Sequence, residues 1–239
     1  STKMIQHIKF TSNKNTLVGI LEKNNSGSTI TILVPGYNQT KTHFRFLTKK
    51  LRKNSLNFFT FDLSGVGESD GEFIKQNISS WSNDLISSID FVKKKGFEIV
   101  NLIGYSMGGA ICLNASLKRK ISKMVLKAPV SNLAKIIEMF YHNKMDLFQK
   151  NKKIHYFNFY GKKVFLYYQL YLDSKKNNLL FPYSISTPTL LIQGSKDTFV
   201  PASHTRQLAK LIPNSKLILF KNKGHVLFNT NELVIDWLT

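Results

Sequence analysis

Short apolar runs alternate along this chain with longer segments in which apolar residues recur at every third or fourth position. The runs predict buried strands, and the longer segments predict helices with one apolar face. Between residues 80 and 95, for example, Trp81, Leu85 and Ile89 follow the helical spacing. Strands are predicted near residues 30–34, 57–61, 99–103, 123–128, 189–193 and 216–220, and helices near 42–53, 80–95, 107–118, 202–211 and 230–238.

The order of these elements predicts an α/β fold. Strands that alternate with helices form a mostly parallel central sheet that is covered by helices on both faces. Residues 4–10 and 17–22 precede the alternation, and they predict an antiparallel hairpin at one edge of the sheet. A chain of 239 residues is long enough for one large core, so we expect a single domain over residues 1–239.

One segment, about residues 131–186, interrupts the alternation. It contains no repeat and no low-complexity linker, so we interpret it as a cap inserted over the functional site and not as a separate domain. Its aromatic rings could line an acyl or aryl pocket, or they could form a small core within the cap. These aromatic residues are Phe140, Tyr141, Phe148, Tyr156, Phe157, Phe159, Tyr160, Phe165, Tyr167, Tyr168 and Tyr171.

The pentapeptide Gly104-Tyr105-Ser106-Met107-Gly108 lies between a predicted strand and a predicted helix. A serine at such a corner exposes its hydroxyl, and the strained turn crowds the flanking backbone, so glycine is favoured two residues to either side. The N-terminus of the following helix favours negative charge on a reacting oxygen. The pattern predicts that Ser106 is a nucleophile, and the alternative is a glycine-rich turn that contains a serine by chance.

A nucleophilic serine needs a base, and the base needs a carboxylate to orient it. Asp197 follows the predicted strand at 189–193, and His225 ends the loop after the predicted strand at 216–220. Both therefore fall at the carboxyl end of a parallel strand, where sites in such sheets lie. We predict a catalytic triad of Ser106, His225 and Asp197.

Both partners of Ser106 have alternatives. Asp197 could be a turn residue that accepts local backbone hydrogen bonds, and His225 could be a loop histidine bonded to a carbonyl. Asp146 and Asp173 are rival acids in the middle segment, whereas Asp236 comes after the histidine. The other histidines fit the position after the last strand less well; they are His7, His43, His142, His155 and His204.

The loop after the first central strand begins Pro35-Gly36-Tyr37. Glycine lets the backbone approach a reacting group closely. We therefore predict that the amide groups of Tyr37 and Met107 form an oxyanion hole, which receives the charge that develops on a carbonyl oxygen. As an isolated feature, a Pro-Gly pair is an ordinary turn.

The chain is strongly basic, with 34 Lys+Arg against 14 Asp+Glu and a formal net charge of +20 at pH 7. Such a charge suits nucleic acid, an anionic membrane or an acidic substrate. The lysines, however, are spread in ones and twos, and no nucleic-acid-binding signature occurs. We therefore expect a solvated basic surface and no nucleic-acid partner, with weak association to an anionic membrane surface as the alternative.

Two further features bear on the compartment. The sequence has no run of about 18 apolar residues, and it does not begin with a basic and then apolar segment, so neither a membrane span nor a signal peptide is expected. The single cysteine, Cys112, excludes a disulfide within the chain and falls in the helix after Ser106, where we expect a buried structural thiol. From these features we expect a cytoplasmic protein.

Five segments together resemble the α/β-hydrolase serine esterases, in which the triad follows the order Ser, Asp, His. The similarity is greatest to the branch that contains feruloyl (cinnamoyl) esterases, monoacylglycerol lipases and related peptidase-like hydrolases, and residues 69–73 resemble the feruloyl esterase group. Pro35 stands where many relatives have a histidine that supports the oxyanion loop. The five segments are residues 34–37, 61–71, 104–109, 194–197 and 224–225.

This resemblance implies a serine hydrolase that cleaves a small-molecule ester or lipid through an acyl-enzyme, with no metal ion and no organic cofactor. A lipase or lysophospholipase that acts on long acyl chains is the second possibility. A ligand-binding protein with little turnover is the third. The complete triad argues against the third, because a binding pocket alone does not need Ser, Asp and His in this order.

Overall fold

A computed structural model describes residues 3–158, 160–176, 185–227 and 229–239. Within these ranges the predicted alternation of strands and helices is confirmed. The strands are β1 (Met4–Ser12), β2 (Asn15–Lys23), β3 (Thr29–Val34), β4 (Phe58–Phe61), β5 (Ile99–Tyr105), β6 (Met124–Lys127), β7 (Lys153–Phe157), β8 (Lys163–Tyr167), β9 (Thr189–Gly194) and β10 (Ser215–Phe220).

Helices follow most of the strands. They are α1 (Arg45–Lys53), α2 (Ile78–Lys94), α3 (Met107–Ser116), α4 (Leu133–Tyr141), α5 (Met145–Asn151), α6 (Tyr168–Lys176), α7 (Ala202–Leu211) and α8 (Asn231–Leu238), with 3-10 turns at Lys41–Phe44, Phe73–Lys75 and His142–Lys144. In the described ranges, none of these helices combines the length and the hydropathy that crossing a membrane requires.

The central sheet has eight strands in the order β1-β2-β4-β3-β5-β6-β9-β10. All neighbours from β4 to β10 pair in parallel, whereas β1 and β2 form the antiparallel hairpin at one edge. The mostly parallel sheet predicted from the sequence is thus confirmed. The parallel strands from β4 to β9 are buried on both faces because helices cover both, which explains their apolar runs, whereas the edge strand β10 is half-buried.

Two apolar cores lie on the two faces of the sheet. On one face, Leu51 of α1 and Val234 of α8 are fully buried against the sheet. On the other face, Trp81 and Leu85 of α2 pack with α3 and with Leu208 of α7. α2 begins at a capping box, in which the Asn77 and Ser80 side chains each bond the other's backbone N–H, and its apolar stripe then faces the core.

Residues 133–176 contribute α4, α5, α6, β7 and β8, and several of them line the same cavity as Ser106 at the end of β5. In the described part of this segment, α4, α5 and α6 surround a two-stranded antiparallel sheet, β7–β8. Successive side chains of this small sheet point to opposite faces. Tyr156, Val164 and Leu166 point inward, whereas Lys153 and Phe157 are exposed. Phe159 and residues 177–184 lie outside the described residues, and the assignment of residues 131–186 as a cap stays a prediction.

Candidate active site

Ser106 stands at the corner between β5 and α3 with φ 54° and ψ −116°. A positive φ is costly for a residue with a side chain, so the surroundings must hold it in place. They leave no room for side chains on either side of the turn. A Cβ at Gly104 would lie 2.6 Å from the Gly108 carbonyl oxygen, and a Cβ at Gly108 would overlap the Val34 carbonyl oxygen. The crowding explains why glycine occupies both positions.

The structure brings Ser106, His225 and Asp197 into one chain of hydrogen bonds. His225 Nε2 lies 3.0 Å from Ser106 Oγ, and His225 Nδ1 lies 2.7 Å from Asp197 Oδ2. The His225 and Asp197 side chains are buried, which strengthens their interaction. With Nδ1–H donated to the carboxylate, Nε2 is free of its proton and can accept one from the serine hydroxyl.

The Asp197 carboxylate is held by three further hydrogen bonds. Its Oδ1 accepts from the amides of Phe199 and Val200, each at 2.8 Å, and its Oδ2 accepts from Gln193 Nε2 at 3.0 Å. Thr205 Oγ1 donates to Gln193 Oε1 at 2.6 Å and so fixes the orientation of that amide. The carboxylate therefore has one position, aimed at the imidazole.

The rival acids lie elsewhere. Asp146 is exposed in the first turn of α5, and Asp173 on α6 accepts a hydrogen bond from the Ser79 amide at 3.1 Å. Asp62, which also follows a strand, is buried, and it accepts hydrogen bonds from the amides of Lys41 and Glu68. These hydrogen bonds give Asp62 a structural role, because they fix the loop segments that contain Lys41 and Glu68. Asp197 is the acid that the structure brings to His225.

The loop after β3 lies against Ser106. A Cβ at Gly36 would stand 3.3 Å from Ser106 Cβ and 2.9 Å from Gln39 Oε1, so a side chain here would crowd the serine and displace the Gln39 amide. Gln39 Oε1 accepts a hydrogen bond from the Gly36 amide at 2.9 Å and closes the turn. Within the described ranges, the amides of Tyr37 and Met107 donate no hydrogen bond to the protein. Both donors are available to a substrate.

The Tyr37 side chain ties this loop to the β7–β8 hairpin. Its hydroxyl donates to the Phe165 carbonyl oxygen of β8 at 2.7 Å. The ring packs on Phe73 and Trp81, with centroids 5.1 and 5.9 Å away. Burial raises the pKa of Tyr37, so the phenol stays protonated and keeps donating this bond.

A cavity of about 570 Å³ opens at Ser106 and His225 and extends beneath the hairpin. This volume is typical of a small-molecule site. The walls are mainly apolar, and they include Leu133, Ile136, Ile137, Tyr156, Val164 and Leu166.

Some aromatic rings of residues 131–186 line the cavity, and others pack together in a small core. Tyr141, Tyr156 and Tyr160 line the cavity. Phe148 and Tyr171 instead pack with each other in the interior, with centroids 6.0 Å apart.

A second cavity of about 760 Å³ shares Tyr105 and Tyr160 with the first. His43 and Lys127 line it, and the His43 ring stacks on Tyr105 with centroids 4.7 Å apart. Burial lowers the pKa of Lys127 to about 8. Burial, with smaller contributions from Lys127 and His225, lowers the pKa of His43 to about 4, so its ring is neutral at pH 7.

We expect the Lys127→Met variant to be more stable than the wild type at pH 7, by about 1–2 kcal/mol. The pKa of Lys127 is about 8 in the folded protein, and an unfolded lysine titrates near its ordinary, higher value. At a pH between these two pKa values, Lys127 is protonated in the unfolded chain and mostly neutral in the folded protein. The free energy of unfolding of the wild type therefore rises with pH across this range. The advantage of the variant therefore shrinks there.

Urea unfolding at pH 7 and pH 10 measures this effect. Lys118→Met is the matched control, because Lys118 is exposed and the substitution removes the same charge. An advantage of Lys127→Met that is equal at both pH values would contradict the prediction.

Three residues at this site were not singled out from the sequence. Gln193 directly follows three apolar residues in β9 and is fully buried, a signal that could have pointed to a buried hydrogen-bond role. Tyr105 lies inside the pentapeptide itself, and its hydroxyl donates to the His225 carbonyl oxygen at 3.3 Å. Lys127 ends the apolar strand β6, where a charged residue is equally conspicuous.

Comparison with known proteins identifies the class. A family model described as "Serine aminopeptidase, S33" matches residues 27–160, more than half of the chain, and a model described as "alpha/beta hydrolase fold" matches residues 131–232. The chain belongs to the α/β-hydrolase family and is a hydrolase.

Curated relatives include esterases and thioesterases. The chain is 28% identical over 225 residues to mouse palmitoyl-protein thioesterase ABHD10, mitochondrial. The match covers 89% of this chain and 74% of the mouse protein. The corresponding rat protein is 26% identical, and there the match spans 61% of its length. "Putative esterase/lipase 2" of Mycoplasma genitalium is 28% identical, with coverage of 88% of this chain and 87% of that protein.

Solved structures share the fold. Mouse alpha/beta hydrolase domain-containing protein 10 superposes with a TM-score of 0.83 at 21% identity and covers 98% of this chain and 96% of its own. Est1E from Butyrivibrio proteoclasticus, with ferulic acid bound, gives a TM-score of 0.79 at 20% identity. The match covers 96% of this chain and 95% of the Est1E chain. The resemblance drawn from the sequence motifs is confirmed at the level of the family and the fold.

Proposed function

We propose that this hydrolase cleaves carboxylic esters, including thioesters, through a serine nucleophile and an acyl-enzyme intermediate. The observation that carries the proposal is the pair of hydrogen bonds that links Ser106 Oγ through His225 to Asp197. This geometry is the arrangement in which a serine hydroxyl is activated for attack on a carbonyl carbon.

In the first half of the reaction, Ser106 Oγ attacks the carbonyl carbon while His225 Nε2 takes the hydroxyl proton. Asp197 keeps Nδ1–H directed at itself and stabilises the imidazolium that forms. The amides of Tyr37 and Met107 donate to the oxyanion of the tetrahedral intermediate. When this intermediate collapses, the leaving alcohol or thiol receives the proton from His225, and the acyl group stays on Ser106.

Water completes the second half. His225 takes a proton from a water molecule, the resulting nucleophile attacks the acyl-enzyme, and the carboxylic acid leaves as Ser106 regains its proton. Every proton moves between the substrate, water, Ser106 and His225.

The apolar cavity beneath the β7–β8 hairpin supports an acyl group of appreciable length. It opens at Ser106, and Leu133, Ile137 and Val164 are among the apolar residues that line it. Similarity to proteins named palmitoyl-protein thioesterase and esterase/lipase points in the same direction. A long-chain lipase or thioesterase activity therefore falls within the proposal.

We expect kcat/KM to rise with chain length in a series of p-nitrophenyl esters from acetate to palmitate. Each buried CH₂ contributes about 0.8 kcal/mol, or about fourfold, until the cavity is full. The Val164→Trp variant narrows the cavity and is expected to move the optimum to a shorter chain. Phe157→Trp, on the exposed face of the same hairpin, is the matched control.

The same acyl groups presented as thioesters measure the preference for oxygen or sulfur in the leaving group. Saturation labelling with a fluorophosphonate, which modifies an activated serine, tests the nucleophile independently of the substrate. Absence of both turnover and labelling would refute the proposed hydrolysis and favour a binding function.

A further inference from the structure

Lys127 occupies an unusual place for a cation. It ends β6, pairs in register with Tyr105 of β5, and lines the second cavity next to the proposed triad. In the described part of the chain, no carboxylate lies within ion-pair distance of its ammonium group and no side-chain hydrogen bond reaches it; burial is the cause of its lowered pKa. By contrast, Lys41 pairs with both Asp62 and Glu68.

The walls of the second cavity carry positive charge and hydrogen-bond donors. His43 and Lys127 lie inside it, and Arg45, Asn229 and Asn231 contribute to its lining. Among the described lining residues there is no aspartate and no glutamate. A half-buried cation without a counter-charge is unfavourable. Groups of this kind concentrate at functional sites, where a ligand supplies the missing charge.

The two cavities differ in what they can accept. The first is mainly apolar, so a charged group loses its hydration in the apolar part, and Lys162, an exposed residue between β7 and β8, is the one lysine or arginine among its described lining residues. The second shares Tyr105 and Tyr160 with it, and Val226, next to His225 in sequence, forms part of its wall. The two cavities are therefore neighbours.

We propose that the second cavity binds a phosphate or carboxylate group carried on the leaving-group side of the substrate, with Lys127 as its principal partner. This inference rests on the proposed ester hydrolysis. It narrows the substrate class to acylated alcohols or thiols whose alcohol or thiol part is anionic. A charge-assisted hydrogen bond from the Lys127 ammonium group, together with donors from His43 and the asparagine amides, provides the recognition.

The test compares two substrates with the same dodecanoyl chain, 1-dodecanoyl glycerol and 1-dodecanoyl glycerol 3-phosphate. Both are used below the concentration at which they form micelles. The wild type is expected to hydrolyse the phosphate ester with a kcat/KM about tenfold higher, or more. In Lys127→Met this preference is expected to fall about tenfold, whereas Lys127→Arg is expected to keep most of it.

A chain with a net charge of +20 attracts any anion, so the preference needs a matched control. Lys118→Met removes one exposed charge at a residue that does not line the cavity and is expected to leave the preference unchanged. An equal loss in Lys118→Met and Lys127→Met would assign the preference to the overall field and overturn the proposal. A wild type that does not prefer the phosphate ester would overturn it without any variant.

Calorimetry separates this site from the hydrolysis itself. Glycerol 3-phosphate and inorganic phosphate are titrated into the wild type and into Lys127→Met. If neither ester is hydrolysed but glycerol 3-phosphate binds in a Lys127-dependent manner, the proposed function fails and the anion site stands. If inorganic phosphate binds equally well and the two esters are hydrolysed alike, the leaving-group assignment is wrong and the cavity takes a free anion.

Discussion

Replacing Ser106 with alanine is expected to lower kcat/KM for every ester by about 10⁴-fold or more. In the proposed mechanism the Ser106 hydroxyl oxygen forms the acyl-enzyme, and alanine has no group that can replace it. The fold is expected to survive, because alanine is smaller than serine and the glycines on either side of the corner already accommodate its strained backbone. Steady-state hydrolysis of p-nitrophenyl esters, with a melting curve for each protein, measures the effect.

Ser122→Ala is the matched control for this variant. Ser122 is exposed in the loop before β6 and lies outside the lining of both cavities. It is expected to retain wild-type activity and wild-type labelling by a fluorophosphonate, while Ser106→Ala loses both. Turnover by Ser106→Ala at more than about one per cent of the wild-type rate would refute the role of Ser106.

The second large effect is expected for Asp197→Asn, which we expect to lower kcat by about 10³–10⁴-fold. An amide cannot accept at both of its ends. If its NH₂ group takes the Oδ2 position, it faces two donors, His225 Nδ1–H and Gln193 Nε2. If it takes the Oδ1 position, it faces the amides of Phe199 and Val200. In either orientation the NH₂ group of the amide faces N–H donors and cannot accept their hydrogen bonds. The His225 imidazole is then no longer held in the tautomer that carries its proton on Nδ1.

Asp146→Asn is the control for this charge change, because Asp146 is an exposed acid of the segment over the cavity. Its activity is expected to match the wild type. The effect of Asp197→Asn should appear mainly in kcat, since the carboxylate contacts the base and not the bound ester. Wild-type kcat in Asp197→Asn, or an equal loss in both variants, would show that the acid of the site lies elsewhere.

Most of the central sheet could be predicted from the sequence because its strands are short and continuously apolar. The strand predicted near 99–103 is β5, and the helix predicted near 80–95 is α2, whose stripe of Trp81, Leu85 and Ile89 is buried as its spacing indicated. The grouping of Ser106, Asp197 and His225 could be predicted for a related reason. Parallel strands bring their carboxyl ends to one edge, whatever their separation in sequence.

The elements of the middle segment could not be predicted in the same way. In β7 and β8, lysine and aromatic residues alternate with apolar ones, and the outward rings hide the period of two that marks a half-buried strand. The second cavity was missed for a different reason. His43 and Lys127 are far apart in sequence. They line the same cavity only because the 3-10 turn at Lys41–Phe44 packs near the end of β6.

The hydrogen bond between the Tyr37 hydroxyl and the Phe165 carbonyl oxygen joins two parts of the molecule with separate tasks. One end belongs to the loop whose Tyr37 amide we propose as an oxyanion donor, and the other belongs to the hairpin whose inner side lines the cavity at Ser106. We expect an acyl group in this cavity to contact Val164 and Leu166 of β8, the same strand that holds the loop through the Phe165 carbonyl oxygen. We therefore expect substrate fit and transition-state stabilisation to be linked, so that a poorly fitting acyl group slows the chemical step as well as weakening binding.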